Sequence, residues 1–214
     1  MQKKKFTFLL IMMLLLTGCT KITNDIDSIV DNIFSSDKAI VNTVSTCYEV
    51  YLPVGVKQVS DHEYNQKFKI RNTYIYLYVD TISYYYKNTL NYKYDDDYDY
   101  YFKNLKLDDK IGYIGINKSD KDLYYVNIVY NYSKIEFYAN YEDLPYILAN
   151  SLIIVKSIKY NDNLISMKLS DNGNDGREVK YQLDSPKNTE STFSDYLQEY
   201  VPDETPAVEL PDEN

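Results

Sequence analysis

Strand-like alternation of apolar and polar side chains is the feature that most constrains this fold, and it recurs between residues 47 and 139. The segments that alternate in this way are residues 48–52, 66–70, 73–79, 111–117, 123–130 and 134–139. They are rich in tyrosine, isoleucine and valine, which favour strands. Arg71-Asn72 and residues 131–133 are short enough to be hairpin turns. The pattern predicts antiparallel strands that bury one face and leave the other in water.

Helical or disordered segments are predicted on both sides of these strands. Residues 19–46 are predicted to be a tether with a helix, because isoleucines share one helical face at positions 22, 26, 29 and 33. Ser35-Ser36-Asp37 then predicts the cap of a second short helix through Val44. Residues 185–201 are predicted to hold a short helix, and residues 202–214 form a tail of acidic and proline residues that is predicted to be disordered.

Residues 143–158 carry the longest apolar face at the helical period. Asp143 is the expected N-cap, and Pro145 falls in the first turn, where its missing N–H costs little. The segment therefore predicts a helix. The alternative is a buried strand over residues 152–160, because a short apolar run fits both structures.

The remaining parts of the predicted domain, residues 47–184, are less regular. Residues 84–109 fit neither period and are predicted to be an exposed insertion or a helix-loop region. Residues 164–170 and 177–183 are predicted to pair as a hairpin across the turn at residues 171–176, which is rich in glycine, asparagine and aspartate.

Paired strands followed by a helix predict the α+β class, with an antiparallel sheet and helices packed on one face as a sandwich. The order of elements resembles the PsbP-like fold. The resemblance is carried by Tyr51-Leu52-Pro53-Val54-Gly55, by the paired strands that follow, and by the late helix near Ser157. It implies this topology and no functional residue.

The first nineteen residues have the organisation of a secretory signal. Lys3-Lys4-Lys5 precede an apolar run over residues 6–16, which is shorter than the roughly 20 residues of a membrane-spanning helix. Leu16-Thr17-Gly18-Cys19 resembles the lipobox of bacterial lipoproteins. The resemblance implies removal of residues 1–18, a diacylglyceryl thioether on Cys19, and a lipid-anchored protein on the extracytoplasmic face of the cell membrane. The alternative is an uncleaved hydrophobic helix in which the cysteine is accidental.

Charge and composition exclude several classes of function. The chain has 23 basic and 32 acidic residues, and removal of Lys3-Lys4-Lys5 leaves 20 basic against 32 acidic. Such an acidic chain is not expected to bind nucleic acid or to be drawn to an anionic bilayer by charge. One histidine and two cysteines cannot build a multi-histidine or four-thiolate metal site. No metal and no cofactor is predicted.

Two acidic segments have spacings near those of calcium loops, and neither fits. Asp95, Asp97 and Asp99 open like an EF-hand, but Tyr100 and Lys106 occupy the positions that need glycine and glutamate. A solvated acidic loop is the favoured interpretation. Residues 171–176 are better explained as a hairpin turn than as a metal site.

No nucleophile or general base is predicted from the reactive side chains. His62 lies in Ser60-Asp61-His62-Glu63, with no Gly-x-Ser-x-Gly elbow in the chain, and is expected on a polar loop. Cys47 precedes a predicted strand and is expected to be a small buried hydrophobic side chain. The sequence therefore contains no catalytic motif.

The 26 tyrosines are the remaining clue. A composition biased towards AT-rich codons and packing in a sheet explain the total number. Two clusters are nevertheless candidates for a binding surface, since rigid rings supply contact area at low entropic cost; they are Tyr84, Tyr85, Tyr86, Tyr98, Tyr100 and Tyr101. The first functional hypothesis is a non-catalytic binding or accessory role towards a protein or glycan of the envelope. The alternatives are a hydrolase of envelope polymers with paired carboxylates and a structural component of an envelope complex.

Overall fold

A computed structural model describes residues 25–37, 40–62, 64–90, 98–119 and 122–171 together with Leu183. Within these residues it contains four helices and ten strands. In chain order they are α1 (Ile26–Ser35), β1 (Thr43–Val44), β2 (Tyr48–Val50), β3 (Val56–His62), β4 (Asn65–Ile70), β5 (Thr73–Val79), α2 (Thr81–Tyr85), β6 (Tyr101–Leu107), β7 (Lys110–Lys118), β8 (Leu123–Tyr130), β9 (Ser133–Asn140), α3 (Leu144–Ser157), β10 (Lys159–Tyr160) and α4 (Asp162–Asp171).

Two antiparallel sheets form the framework, which confirms the α+β class. The larger sheet has seven strands in the order β3-β4-β5-β9-β8-β7-β6, and the smaller one has the order β1-β2-β10. Chain neighbours pair as hairpins in the large sheet, except that β9 joins β5 after the excursion through α2 and β6 to β8. The strands predicted from alternation match β2, β4, β5, β7, β8 and β9.

The inner face of the large sheet carries the main core. Its side chains include Ile75, Ile114, Ile128 and Phe137, all fully buried. The helix α3 lies against strands β8 and β9, and α1 packs on α3. Burial of these apolar faces is the main stabilising contribution, at about 25 cal/mol per Å² removed from water.

Helix α3 confirms the predicted helix over residues 143–158, with one correction. The Asp143 side chain makes no capping hydrogen bond and instead pairs with Arg71, whose guanidinium lies 4.1 Å from the centre of the Tyr146 ring. The alternative strand over residues 152–160 is wrong for all but its last two residues, which form β10.

The two ends of the large sheet differ, and we name them by what they carry. At the turn end lie the β6–β7 and β8–β9 turns, together with α2, which follows β5. The opposite end is the entry end, because the first turn of α1 is there: Asp27 accepts hydrogen bonds from Tyr101 (2.8 Å) and Lys103 (2.9 Å) at the start of β6. Phe34, in the last turn of α1, contacts Tyr130, which ends β8 at the turn end.

Four local predictions were wrong. Residues 43–44 form the strand β1 and not a second helix, because they pair with Glu49 and Val50. His62 is the last residue of the edge strand β3 and does not lie on a polar loop. The sequence pattern missed β3 because its side chains are largely exposed, as expected of an edge strand with charged residues.

The other two errors concern residues 84–109 and 164–170. The first segment is predicted to be an exposed insertion or a helix-loop region, but Tyr101–Leu107 forms the edge strand β6. Its alternation is broken by Lys103, which faces inward and pairs with Asp27 and Asp31. The predicted strand over residues 164–170 is the helix α4, because Ile165 and Leu169, four residues apart, pack on the same cluster of side chains.

Several predictions fall on residues that the structure does not describe. They are the signal segment at residues 1–18, the lipidated Cys19, the aspartates Asp95 and Asp97, the turn and second strand over residues 172–182, and the segments 185–201 and 202–214. Among the described helices, none is long and apolar enough to cross a membrane.

Candidate functional site

The six candidate tyrosines occupy three separate places. Tyr84, Tyr85 and Tyr86 lie on or next to α2 at the turn end. Tyr100 and Tyr101 lie at the entry end: Tyr100 is 41% exposed against Tyr124, and Tyr101 contacts α1. They therefore do not form one continuous surface.

The sixth candidate, Tyr98, packs on the outer face of the large sheet. Its ring lies over Gly115, where a Cβ atom would come within 2.3 Å of it, and it stacks with Phe102 at 5.8 Å between ring centres. Asn127 donates hydrogen bonds to the hydroxyls of Tyr98 (2.8 Å) and Tyr113 (3.1 Å). These contacts explain Tyr98 as a packing residue of the outer face.

A pocket of about 510 Å³ opens at the turn end, and we call it the turn-end pocket. Its wall is assembled from α2 and the segment after it, the β6–β7 turn, the β8–β9 turn and the region of β10. The residues that line it are Tyr84, Lys87, Asn88, Thr89, Leu90, Asp109, Lys110, Ile111, Asn131, Tyr132, Ile158, Lys159 and Tyr160. The volume is in the range of pockets that hold small molecules.

Three tyrosines make the aromatic part of the turn-end pocket. Tyr84 stacks on Tyr160, with ring centres 3.7 Å apart and an interplanar angle of 12°, and meets the Tyr132 ring edge-on at 5.8 Å. The ammonium of Lys87 lies 3.5 Å from the centre of the Tyr84 ring. Tyr84 is thus held from several sides, and it is the one predicted candidate that the pocket includes.

The β8–β9 turn supplies the second part of the wall in an unusual conformation. Register pairs Tyr130 with Ser133, so the turn consists of Asn131 and Tyr132, with φ of 47° and 62°. Positive φ at both positions is typical of a type I′ turn, which prefers asparagine followed by glycine. A tyrosine in this conformation is strained, and such strain is frequent at functional sites. The turn places the Tyr132 ring in the pocket wall.

Hydrogen bonds fix the orientation of this wall. The Tyr132 hydroxyl donates to the Asn88 carbonyl oxygen (2.8 Å), and the Tyr160 hydroxyl donates to the Asn131 carbonyl oxygen (2.7 Å). Burial, reinforced by Asp162, raises the pKa of Tyr84, and burial together with Asp80 raises the pKa of Tyr132. Both phenols are therefore neutral at pH 7 and act as hydrogen-bond donors.

The charges in the lining are mostly positive. Lys87, Lys110 and Lys159 come from three different elements, and Asp109 is the one acidic residue among those that line the pocket. A hydrolase with paired carboxylates needs two acids across a cleft, and this wall supplies one.

The reactive residues singled out in the sequence do not meet at the pocket. Cys47 is fully buried, with its sulfur 4.0 Å from the Tyr64 hydroxyl, as predicted for a small hydrophobic side chain. His62 is exposed on the edge strand β3, and Asp99 accepts a hydrogen bond from the Lys118 backbone N–H. Among the described residues, no group of three or more histidine, cysteine or acidic side chains is placed to hold a metal ion.

The sequence pattern identified Tyr84 and missed Tyr132 and Tyr160. Residues 131–133 are predicted to be a hairpin turn, but the closeness of this turn to α2 depends on the long-range pairing of β5 with β9. The bulky residue after asparagine in a short hairpin turn was the available signal. No protein family model, curated protein or solved structure matches the chain.

Proposed function

We propose that this chain is a lipid-anchored protein of the extracytoplasmic face of a bacterial membrane, with a non-catalytic binding role towards a component of the cell envelope. The observation that carries the binding role is the turn-end pocket, which lies at the opposite end of the sheet from the start of the described chain. The lipobox-like Leu16-Thr17-Gly18-Cys19 supports the anchor.

Chain length supports this orientation. Six residue steps separate Cys19 from Asp25, and an extended chain of that length spans at most about 20 Å. The first turn of α1 contacts Tyr101, whereas the pocket begins at Asp109 beyond the other end of β6. Six strand positions from Tyr101 to Leu107 correspond to about 20 Å. An acyl anchor on Cys19 would therefore hold the entry end near the bilayer and direct the pocket outward.

The composition of the pocket supports binding as its role. It combines aromatic rings with amide and ammonium groups, as in sites where a few polar groups orient a ligand against apolar surface. Partners with these properties are glycans and exposed protein segments of the envelope.

The anchor is tested on the protein isolated from its own cells. Mass spectrometry is expected to find residues 1–18 absent and acyl groups on Cys19, and Cys19→Ser is expected to leave the membrane fraction. An intact N-terminal segment without acyl groups would refute the anchor, since two acyl chains are what gives stable membrane residence.

The binding role is tested by cosedimentation with cell-wall polymer isolated from the same cells. The variant Tyr132→Gly removes one ring from the pocket, and Tyr141→Ser, which removes a 52% exposed ring outside the pocket lining, is the matched control. We expect about tenfold weaker binding for Tyr132→Gly, since one well-placed contact contributes about 1.4 kcal/mol, and unchanged binding for Tyr141→Ser. Equal binding by the two variants would show that the turn-end pocket is not the binding site for the polymer.

A further inference from the structure

We infer that the turn-end pocket takes an anionic sugar unit, that is, a sugar ring that carries a carboxylate or a phosphate. The inference rests on the proposed binding function and adds the chemical class of the ligand. It starts from the sign of the charges: three of the four charged residues in the lining are lysines, in a chain with 23 basic and 32 acidic residues.

The three lysines reach the pocket from separate elements. Lys87 follows α2, Lys110 begins β7 and Lys159 begins β10. The ring of Tyr84 holds the Lys87 ammonium at 3.5 Å from its centre. A cation–π contact positions an ammonium without cancelling its charge. The pocket therefore presents a fixed positive charge next to an aromatic ring.

The positive excess belongs to the lining itself, which has three lysines and one acid, Asp109. Asp80 and Asp162 are outside the lining, and each raises the pKa of a pocket tyrosine, Tyr132 and Tyr84 respectively. The amide groups of Asn88 and Asn131 and the ammonium groups supply donors for an oxygen-rich ligand. The hydroxyls of Tyr132 and Tyr160 already donate to backbone carbonyls and offer their oxygens as acceptors. Donors combined with three lysines against one acid in the lining favour an anionic sugar over a neutral one.

Aromatic rings supply the apolar contact that a sugar needs. Tyr132 is the ring that supplies this contact, since Tyr160 covers one face of Tyr84 and the Lys87 ammonium covers the other. The Tyr132 ring stands in the wall at 83° to that of Tyr84. The C–H face of a sugar ring packs on such an aromatic surface while its hydroxyls reach the polar groups, and a purely inorganic anion would not use it.

The test measures binding of three probes of similar size to the full mature protein by ligand-observed NMR. The probes are glucuronate, glucose 6-phosphate and glucose. We expect both anionic probes to bind at least about tenfold more tightly than glucose and to weaken as salt is added. The tighter of the two identifies whether the acidic group is a carboxylate or a phosphate.

Lysine variants assign this binding to the pocket. Lys159→Gln is expected to weaken the anionic probes by about threefold to fivefold, because Lys159 is exposed and its ion pair is screened by water. Lys57→Gln, which changes an exposed lysine outside the pocket lining on β3, is the matched control and is expected to change nothing. Equal effects of the two variants would overturn the assignment.

The outcomes separate this inference from the proposed function. Glucose binding as tightly as the anionic probes would overturn the anionic class and leave the binding role standing. Failure of all three probes, with polymer binding still dependent on Tyr132, would overturn the sugar class alone. Failure of the probes together with polymer binding independent of Tyr132 would overturn both.

Discussion

At position 132 we expect the glycine variant to be more stable than the alanine variant. This is the reverse of the order expected at a position with negative φ. Tyr132 has φ of 62°, a left-handed conformation that costs a residue with a Cβ atom about 1–2 kcal/mol and costs glycine little. Both replacements remove the same ring, so both lose the contact with Tyr84 and the hydrogen bond to Asn88. The two variants therefore differ in the backbone term alone. Glycine loses about 0.5–1 kcal/mol of that advantage through the greater entropy of its unfolded chain.

The expected result is that Tyr132→Gly is more stable than Tyr132→Ala by about 0.75 kcal/mol, the difference between the midpoints of these two terms. Relative to the unchanged chain, the lost edge-on contact and hydrogen bond contribute about 1–3 kcal/mol. Alanine should lose that amount and glycine less. Urea unfolding followed by circular dichroism measures all three proteins.

The same pair of replacements at Tyr141 is the control, because Tyr141 is not among the residues with positive φ. There alanine should be the more stable variant, since glycine has only its entropic cost. If alanine is as stable as glycine at position 132, the strain argument is refuted and the turn does not hold a left-handed tyrosine.

Two further predictions concern the sheet. Gly115→Ala should lower the free energy of unfolding by about 1–2 kcal/mol, because its Cβ would meet the Tyr98 ring at 2.3 Å and a side chain can shift. Gly112→Ala should lower it by about 3 kcal/mol or more, because its Cβ would lie 2.0 Å from the Val129 carbonyl oxygen, which belongs to the backbone. Equal losses for the two variants in urea unfolding would contradict this prediction. Burial and the nearby Asp108 and Asp109 raise the pKa of Tyr130 to about 12, so the native state keeps a proton that the unfolded chain loses near pH 10, and stability should fall from about pH 10 to pH 12. In Tyr130→Phe, stability measured by urea unfolding should fall less steeply between these two pH values. An unchanged slope would contradict the role given to Tyr130.

Strands could be predicted from the sequence where apolar and polar residues alternate in step with the buried and exposed faces of the sheet. Residues 73–79 and 123–130 alternate cleanly, and β5 and β8 have these bounds. The strand β6 was missed because its inward position 103 holds a lysine, and the pattern cannot reveal that Asp27 and Asp31 from α1 neutralise it. The helix α4 was missed because its apolar positions are few and fit a strand as well as a helix.

The candidate site was harder to predict from the sequence, because its residues are far apart along the chain. Local clustering grouped Tyr84 with Tyr85 and Tyr86, yet its ring partners are Tyr132 and Tyr160, about 50 and 75 residues away along the chain. These partners come together because β9 returns beside β5 and β10 joins β2. A sequence pattern has no access to pairings of this range.

The helix α1 lies between the proposed anchor and the rest of the domain, and its contacts at both ends hold it against that domain. At the entry end, Lys103 donates to Asp27 at 2.9 Å and to Asp31 at 2.7 Å. At its other end, the buried ammonium of Lys156 donates to the carbonyl oxygens of Ile33 and Ser36, where the negative end of the helix dipole favours a cation. A helix held at both ends does not pivot on the domain. Under the proposed lipidation, the anchor would therefore act on the whole domain through α1, and the pocket would move with that helix as one body.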